Sequence, residues 1–201
     1  MHYKIITVLD KIHKMDLKDR AERKARKIKR IEKSIWALHP ETAKLLNILI
    51  KWKKPKLVIE LGCSHGYSTI WIAEAIQTYG GKFLSIESNP IVAGIARDNV
   101  NQAGLSNHVK FLIGDCFEEL KQLNYKADFV FCDVRDALYP KILPIILPVI
   151  NKYGIIVFDN VRKENSNIEK TEFRKVQATT TGIQYINIGI GNGGLELCLK
   201  S

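Results

Sequence analysis

Five short apolar runs in this sequence each meet an acid at or near their end. Leu57-Val58-Ile59-Glu60-Leu61 leads into Gly62-Cys63-Ser64-His65-Gly66. The run 83–86 ends at Glu87, and 109–113 leads into Gly114-Asp115. The run 129–132 ends at Asp133, and 155–158 at Asp159-Asn160. If these runs are strands of one parallel sheet, the acids share its carboxyl edge, where such sheets bind ligands. A single acid there is usually a helix cap. Five along one rim are better read as a polar binding crevice. The glycine loop does not fit a dinucleotide fingerprint, because Gly62 and Gly66 are four apart and position 64 is Ser. No Gly-Lys-Ser/Thr follows, so a phosphate-binding P-loop is excluded as well. Glycines that admit close backbone approach, followed by an acid ending the next strand, suit S-adenosylmethionine. Glu87 can accept from both ribose hydroxyls, and Asp115 and its neighbours can meet the adenine.

The elements that must position these residues are legible from periodicity. Residues 11–36 and 41–52 read as helices, with Pro40 before the second and Pro55 ending it. Helices are expected over 67–79, 90–103, 116–123 and 164–179. The stretch 136–151 also looks helical but carries three prolines, so it should be kinked or broken. Two further strands, 183–190 and 195–199, flank Gly191-Asn192-Gly193-Gly194, a hairpin signal. The expected fold class is α/β: a doubly wound, mostly parallel, seven-stranded sheet with an antiparallel last strand and N-terminal helices. Residues 1–55 would form a basic helical extension packed on the core, and 56–201 the S-adenosylmethionine-binding domain.

The chain has 201 residues and a net charge of +10. Its basic excess lies in the first 56 residues. Residues 11–33 alone hold eleven Lys/Arg against four Asp/Glu, and Lys51, Lys53, Lys54 and Lys56 follow. Cys63, Cys116, Cys132 and Cys198 show no metal-ligand spacing and no disulfide framework. No apolar run reaches the roughly 18 residues of a membrane span, and the N-terminus does not read as a secretory signal. A cytoplasmic location is expected.

Val58 to Ser68, Ser85 to Pro90, Asp133 and Val157-Phe158-Asp159-Asn160-Val161 together resemble the metal-dependent O-methyltransferases, which include the catechol and caffeoyl-coenzyme A enzymes. The resemblance covers about residues 38–200. It implies a cofactor site at Glu60, Gly62, Ser64, Gly66, Ser68, Glu87, Gly114, Asp115, Cys116 and Asp133. It also implies a divalent metal, usually Mg²⁺, on Asp133, Asp159 and Asn160. Two carboxylates and an amide oxygen are hard ligands that suit magnesium or calcium, although helix capping is the plainer use of each Asp. The metal would hold two vicinal oxygens of a small catechol-like or acyl-CoA-linked acceptor and ease loss of a hydroxyl proton. Where the family carries a Lys three residues after the first metal Asp, this sequence has Asp136. At about 5 Å and an effective dielectric near 20, each unit of that charge reversal is worth roughly 3 kcal/mol. Arg135 could take the catalytic role beside Asp133, Lys141 lies further on, or Asp136 only caps a helix.

His65 is expected to face cofactor or solvent and not to act as a base. The His39-Pro40 segment resembles one that covers the cofactor in the family. Trp36 and Trp52 are expected in the core or at an interface. Basic residues within 20–33 are either a solvated helix face or a grip for an anionic partner, such as an RNA phosphate backbone. A tRNA methyltransferase acting on a hydroxylated uridine is therefore an alternative, and so is a non-catalytic cofactor- or RNA-binding module. Relatives with N-terminal helices often dimerise, which makes a homodimer the expectation.

Overall fold

In the computed structural model, residues 1–27, 34–161 and 168–201 are described. Five strands, β1 (Leu57–Leu61), β2 (Lys82–Glu87), β3 (Lys110–Ile113), β4 (Ala127–Cys132) and β5 (Ile150–Asp159), pair in parallel. β6 (Ile183–Ile188) and β7 (Leu195–Lys200) complete a seven-stranded sheet of order β3-β2-β1-β4-β5-β7-β6. β7 runs antiparallel to both of its neighbours, as the Gly191–Gly194 hairpin requires. The strand order reverses between β1 and β4, and the crevice of such a sheet opens at that switch point.

Alternation along the strands explains the helices on both faces. Val58, Phe129, Phe131 and Val157 pack one way, against α1 (Tyr3–Ala25), α2 (Pro40–Lys53), α3 (Tyr67–Ile76) and α4 (Pro90–Gln102). Ile59, Leu61, Val130 and Phe158 pack the other way, against α5 (Cys116–Lys121), α6 (Tyr139–Val149) and α7 (Ile168–Thr179). A strand buried on both faces has no polar side, so these runs are apolar throughout. α6 is continuous despite Pro144 and Pro148. Pro140 sits in its first turn, where no amide is needed. Ile142, Leu143 and Ile146 bury its inner face and offset the bonds the other prolines forgo.

The N-terminal region departs from expectation. α1 begins at Tyr3, eight residues earlier than periodicity indicates, and ends at Ala25. Residues 34–39 are extended instead of helical. The expected helical residues 28–33 and 164–167 lie outside the described residues. Ile5, Val8, Leu9 and Ile12 recur at helical spacing and are buried in the core that holds α2, α3 and one face of the sheet. Among the described residues, no helix is long and apolar enough to cross a membrane.

Replacing Ile12 with Ala should therefore destabilise the whole chain. The expected loss is about 2–5 kcal/mol, read as an earlier denaturant midpoint in a single transition. An unmoved midpoint would show that α1 is only a peripheral attachment.

Candidate active site

The loop after β1 is built around a buried carboxylate. Glu60 is fully buried and accepts from Ser68 Oγ at 2.6 Å, Thr69 Oγ1 at 2.7 Å and Ser85 Oγ at 2.6 Å. Both its oxygens are thereby engaged, so Glu60 and Ser68 brace the loop from beneath. Gly62 sits at φ +84°, and any β-carbon there would collide with the Asp133 carbonyl. That close approach joins the glycine loop to the end of β4. Gly66 caps α3 with no side-chain acceptor, which leaves the first amides of that helix suited to a carboxylate. Ser64 Oγ accepts from the Trp36 amide at 3.1 Å.

At the end of β2, Glu87 is oriented by backbone amides. Its Oε2 accepts from Cys63 N at 3.2 Å and its Oε1 from Asn89 N at 3.0 Å. Asp115 Oδ1 accepts from Phe117 N at 2.9 Å and Glu118 N at 3.4 Å, so it caps α5. Gly114 packs on Glu119, and Cys116 is half-buried beside Asp115. Burial pushes the Cys116 thiol up to about 11, so it is a neutral contact and not a nucleophile.

Asp133 and Asp159 end the adjacent strands β4 and β5 and line one cavity of about 680 Å³. Burial, followed by the Asp159 carboxylate, raises the Asp133 carboxyl well above its ordinary range, while the Arg20 guanidinium pulls it the other way. Asn160 takes the left-handed φ of +59° and donates Nδ2 to Asp159 Oδ2 at 2.9 Å. Its Oδ1 lies against Gly193, where a β-carbon would strike it. The hairpin glycine thus serves the site as well as the turn. Tyr139, buried at the start of α6, donates its hydroxyl to Asp159 O at 2.9 Å and Cys132 O at 3.2 Å. That phenol ties together the two strand ends that carry the carboxylates.

The opposite wall comes from the N-terminal region. His13, Asp16, Leu17 and Arg20 of α1 line the cavity, with Trp36 to Pro40. The strap of residues 34–39 is clamped by α1. Asp19 Oδ2 accepts from Ile35 N at 3.3 Å, Asp16 Oδ1 accepts from Ala37 N at 3.4 Å, and Arg20 donates to Ala37 O at 2.9 Å. Arg20 also pairs with Asp16 at 2.7 Å, and Arg23 pairs with Asp19 at 2.8 Å while lying 4.3 Å above the Trp36 ring.

Several expectations change here. Arg20 and Arg23, read as part of a basic outer face, are committed to pairs that hold the strap. Arg26 and Lys27 follow the helix in a turn, while Lys29, Arg30 and Lys33 lie outside the described residues. Trp36 lines the cavity, and Trp52 is 76% exposed and not in the core. His65 is buried, with its carbonyl accepting from Asn99 at 2.9 Å, so it does not face solvent. Burial lowers its pKa. Arg135 and Asp136 both line the cavity, whereas Lys141 is exposed and absent from its walls. Tyr139 and the Asp16–Arg20 pair were not singled out from sequence. The i,i+4 spacing of Asp16 with Arg20 and of Asp19 with Arg23 was the available signal.

The donor set suits a divalent cation. Among the described residues, no group of three or more His, Cys, Asp or Glu is arranged to hold a metal. The set here is instead two carboxylates and an amide, all hard oxygen donors. A carboxyl raised by burial and by a neighbouring carboxylate, as Asp133 is, gains from a cation placed beside it.

A family model for O-methyltransferases matches residues 13–193. Catechol O-methyltransferase of Niastella koreensis is 29% identical over 159 residues, which cover 77% of this chain and 70% of that protein. Tapetum-specific methyltransferase 1 of Arabidopsis thaliana is 28% identical over 174 residues, with coverage of 77% and 74%. The solved structure of the O-methyltransferase from Bacillus cereus in complex with SAH superposes with a TM-score of 0.78 at 20% identity. It covers 97% of this chain and 91% of that one, a likeness of fold.

The buried carboxylate makes a prediction about stability. Burial raises the Glu60 carboxyl from 4.5 to about 7, against the pull of its three hydroxyl donors. The unfolded chain loses this proton near 4.5 while the folded chain keeps it to about 7. Stability from this group is therefore full below the lower value and falls as pH rises through the higher one. The loss is roughly 3 kcal/mol. Glu60→Gln should flatten that slope relative to wild type, measured by denaturant midpoints at about pH 5 and about pH 7.5. Parallel pH dependence in the two proteins would contradict it.

Proposed function

This chain belongs to the O-methyltransferase family of S-adenosylmethionine-dependent enzymes, and we propose that it methylates a hydroxyl of a small catechol-like or acyl-CoA-linked acceptor with the help of a divalent cation, magnesium by preference. The observation that carries this reading is the placement of Asp133, Asp159 and Asn160 in one cavity whose floor touches the glycine loop through the Asp133 carbonyl. S-adenosylmethionine would supply a sulfonium-bound methyl that passes in line to the acceptor oxygen as the carbon–sulfur bond breaks. The cation would hold two vicinal acceptor oxygens and ease the loss of a hydroxyl proton to solvent.

The chain's own residues bind and orient. The uncapped start of α3 suits the carboxylate of the donor's methionine part. Glu87, held by the Cys63 and Asn89 amides, presents a carboxylate of fixed orientation to the ribose hydroxyls. Asp133, Asp159 and Asn160 would carry the cation. Trp36, Ala37 and Leu38 of the strap form an apolar wall of the cavity, which suits the ring of an aromatic acceptor. An RNA acceptor draws less support from Arg20 and Arg23, because both are engaged in ion pairs with Asp16 and Asp19 beside the strap.

The test is transfer of labelled methyl from S-adenosylmethionine, offered both a catechol mixture and total tRNA, with magnesium or a chelator. Label should enter the catechols and depend on magnesium. Asp159→Ala should cut the rate at least about a hundredfold, since the charge stabilisation lost is several kcal/mol. Label confined to tRNA, or an Asp159→Ala variant as active as wild type, would sink the proposal.

A further inference from the structure

The β6–β7 hairpin grips the two residues that follow Asp159. Gly193 lies against the Asn160 side chain, close enough that a β-carbon would strike Oδ1. The Gly194 carbonyl accepts from Val161 N at 3.2 Å. On β6, Asn187 donates Nδ2 to the Val161 carbonyl. Both polar groups of the Val161 backbone are therefore bonded to the hairpin, in a residue only 1% exposed, where each needs a partner.

Asn187 is held in turn. Besides the Val161 carbonyl, its Nδ2 meets the Leu195 carbonyl at 3.0 Å and Glu196 Oε2 at 2.8 Å. All three are acceptors, so only the amino end of the side-chain amide can face them. Glu196 stands opposite Asn187 in the β6–β7 register and is fully buried. Its Oε1 accepts from Gln177 Nε2 at 3.0 Å and from Arg174, both on α7. A buried carboxylate with donors on both oxygens is a firm anchor. The contacts thus run from α7 through Glu196 and Asn187 to Val161, and end one residue from Asn160.

Asn160 depends on such support. Its φ of +59° lies in the left-handed region, which a residue other than glycine holds only where its surroundings fix it. The bond from Val161 N fixes the peptide that follows Asn160, and the bond to the Val161 carbonyl fixes Val161 itself. The Asn160 amide carries no formal charge, so what it gives a cation depends on where its oxygen is held. Asn187 does not line the cavity and reaches it only through these neighbours.

We infer that Asn187 is a positioning residue for the cation site, setting the Asn160 amide through Val161 from its anchor on Glu196. The inference rests on the function proposed above, and it assigns to β6 a part in cation binding.

The test measures Mn²⁺ affinity on the full chain by electron paramagnetic resonance of the free ion, with SAH affinity measured by calorimetry on the same samples. Asn187→Ala should weaken Mn²⁺ binding roughly tenfold to a hundredfold and leave SAH affinity near that of wild type. Asn160→Ala keeps both carboxylates and should bind Mn²⁺ more weakly than wild type. Adding Asn187→Ala to it should cost no further Mn²⁺ affinity, because both changes act through one amide. Asn187→Ser, which keeps one donor, is read in the same way if the Ala variant does not fold. An equal loss of Mn²⁺ affinity with and without Asn160, or a fall in SAH affinity in step with it, would show that Asn187 only supports the fold and would overturn the inference. Wild-type Mn²⁺ affinity in Asn187→Ala would overturn it and leave the proposed function standing. A wild-type chain that binds no Mn²⁺ would overturn that function, and the inference with it.

Discussion

Two carboxyl groups that end neighbouring strands in one half-buried cavity are the constraint on which the rest of this structure depends. Asp133 and Asp159 end neighbouring strands whose register is fixed by Phe131 against Val157 and Cys132 against Phe158. They cannot drift apart, because Tyr139 bonds the carbonyls of both strand ends. Water does not screen them well, because Asp159 is 8% exposed. Such a pair is costly unless a cation joins it. The sheet thus stores, at the ends of β4 and β5, an electrostatic demand that the function proposed here would satisfy.

Around that pair, each wall is set by a different physical device. Gly62 brings its loop against the Asp133 carbonyl because it has no β-carbon. Gly193 does the same for the hairpin against Asn160. Glu60 ties β1, β2 and α3 together through three hydroxyls, which keeps the loop rigid at the expense of a buried ionisable group. The last wall is long-range in sequence. α1 reaches the strap through Asp16, Asp19, Arg20 and Arg23, and the strap reaches the glycine loop through Trp36 and Ser64. α1 is therefore joined to the glycine loop by a chain of hydrogen bonds as well as by apolar packing.

The sheet and its acidic rim were legible in the sequence, since strands buried on both faces leave continuous apolar runs with polar residues only at the ends. The seven strands, the antiparallel β7 and the co-location of Asp133, Asp159 and Asn160 followed from that pattern. The N-terminal region was less legible. Ile28, Ile31 and Ile35 keep a helical period, yet Ile35 belongs to an extended strap. Its backbone is held by side chains of α1, a tertiary interaction that periodicity cannot register. The same holds for Arg20 and Arg23, which composition counts as free surface charge and the fold commits to Asp16, Asp19 and the strap. The bracing roles of Tyr139 and Glu60 escaped in another way, because a buried polar residue is defined by its partners, and these come from elements distant in the chain.

The proposed function requires Asp133 and Asp159 to hold a cation. The most direct measurement is titration of the purified chain with Mn²⁺, followed by electron paramagnetic resonance of the free ion. One bound ion per chain, displaced by magnesium and lost in Asp133→Asn, is the predicted result. A chain that leaves all the Mn²⁺ free, or binds it equally well without Asp133, would contradict the account at its centre.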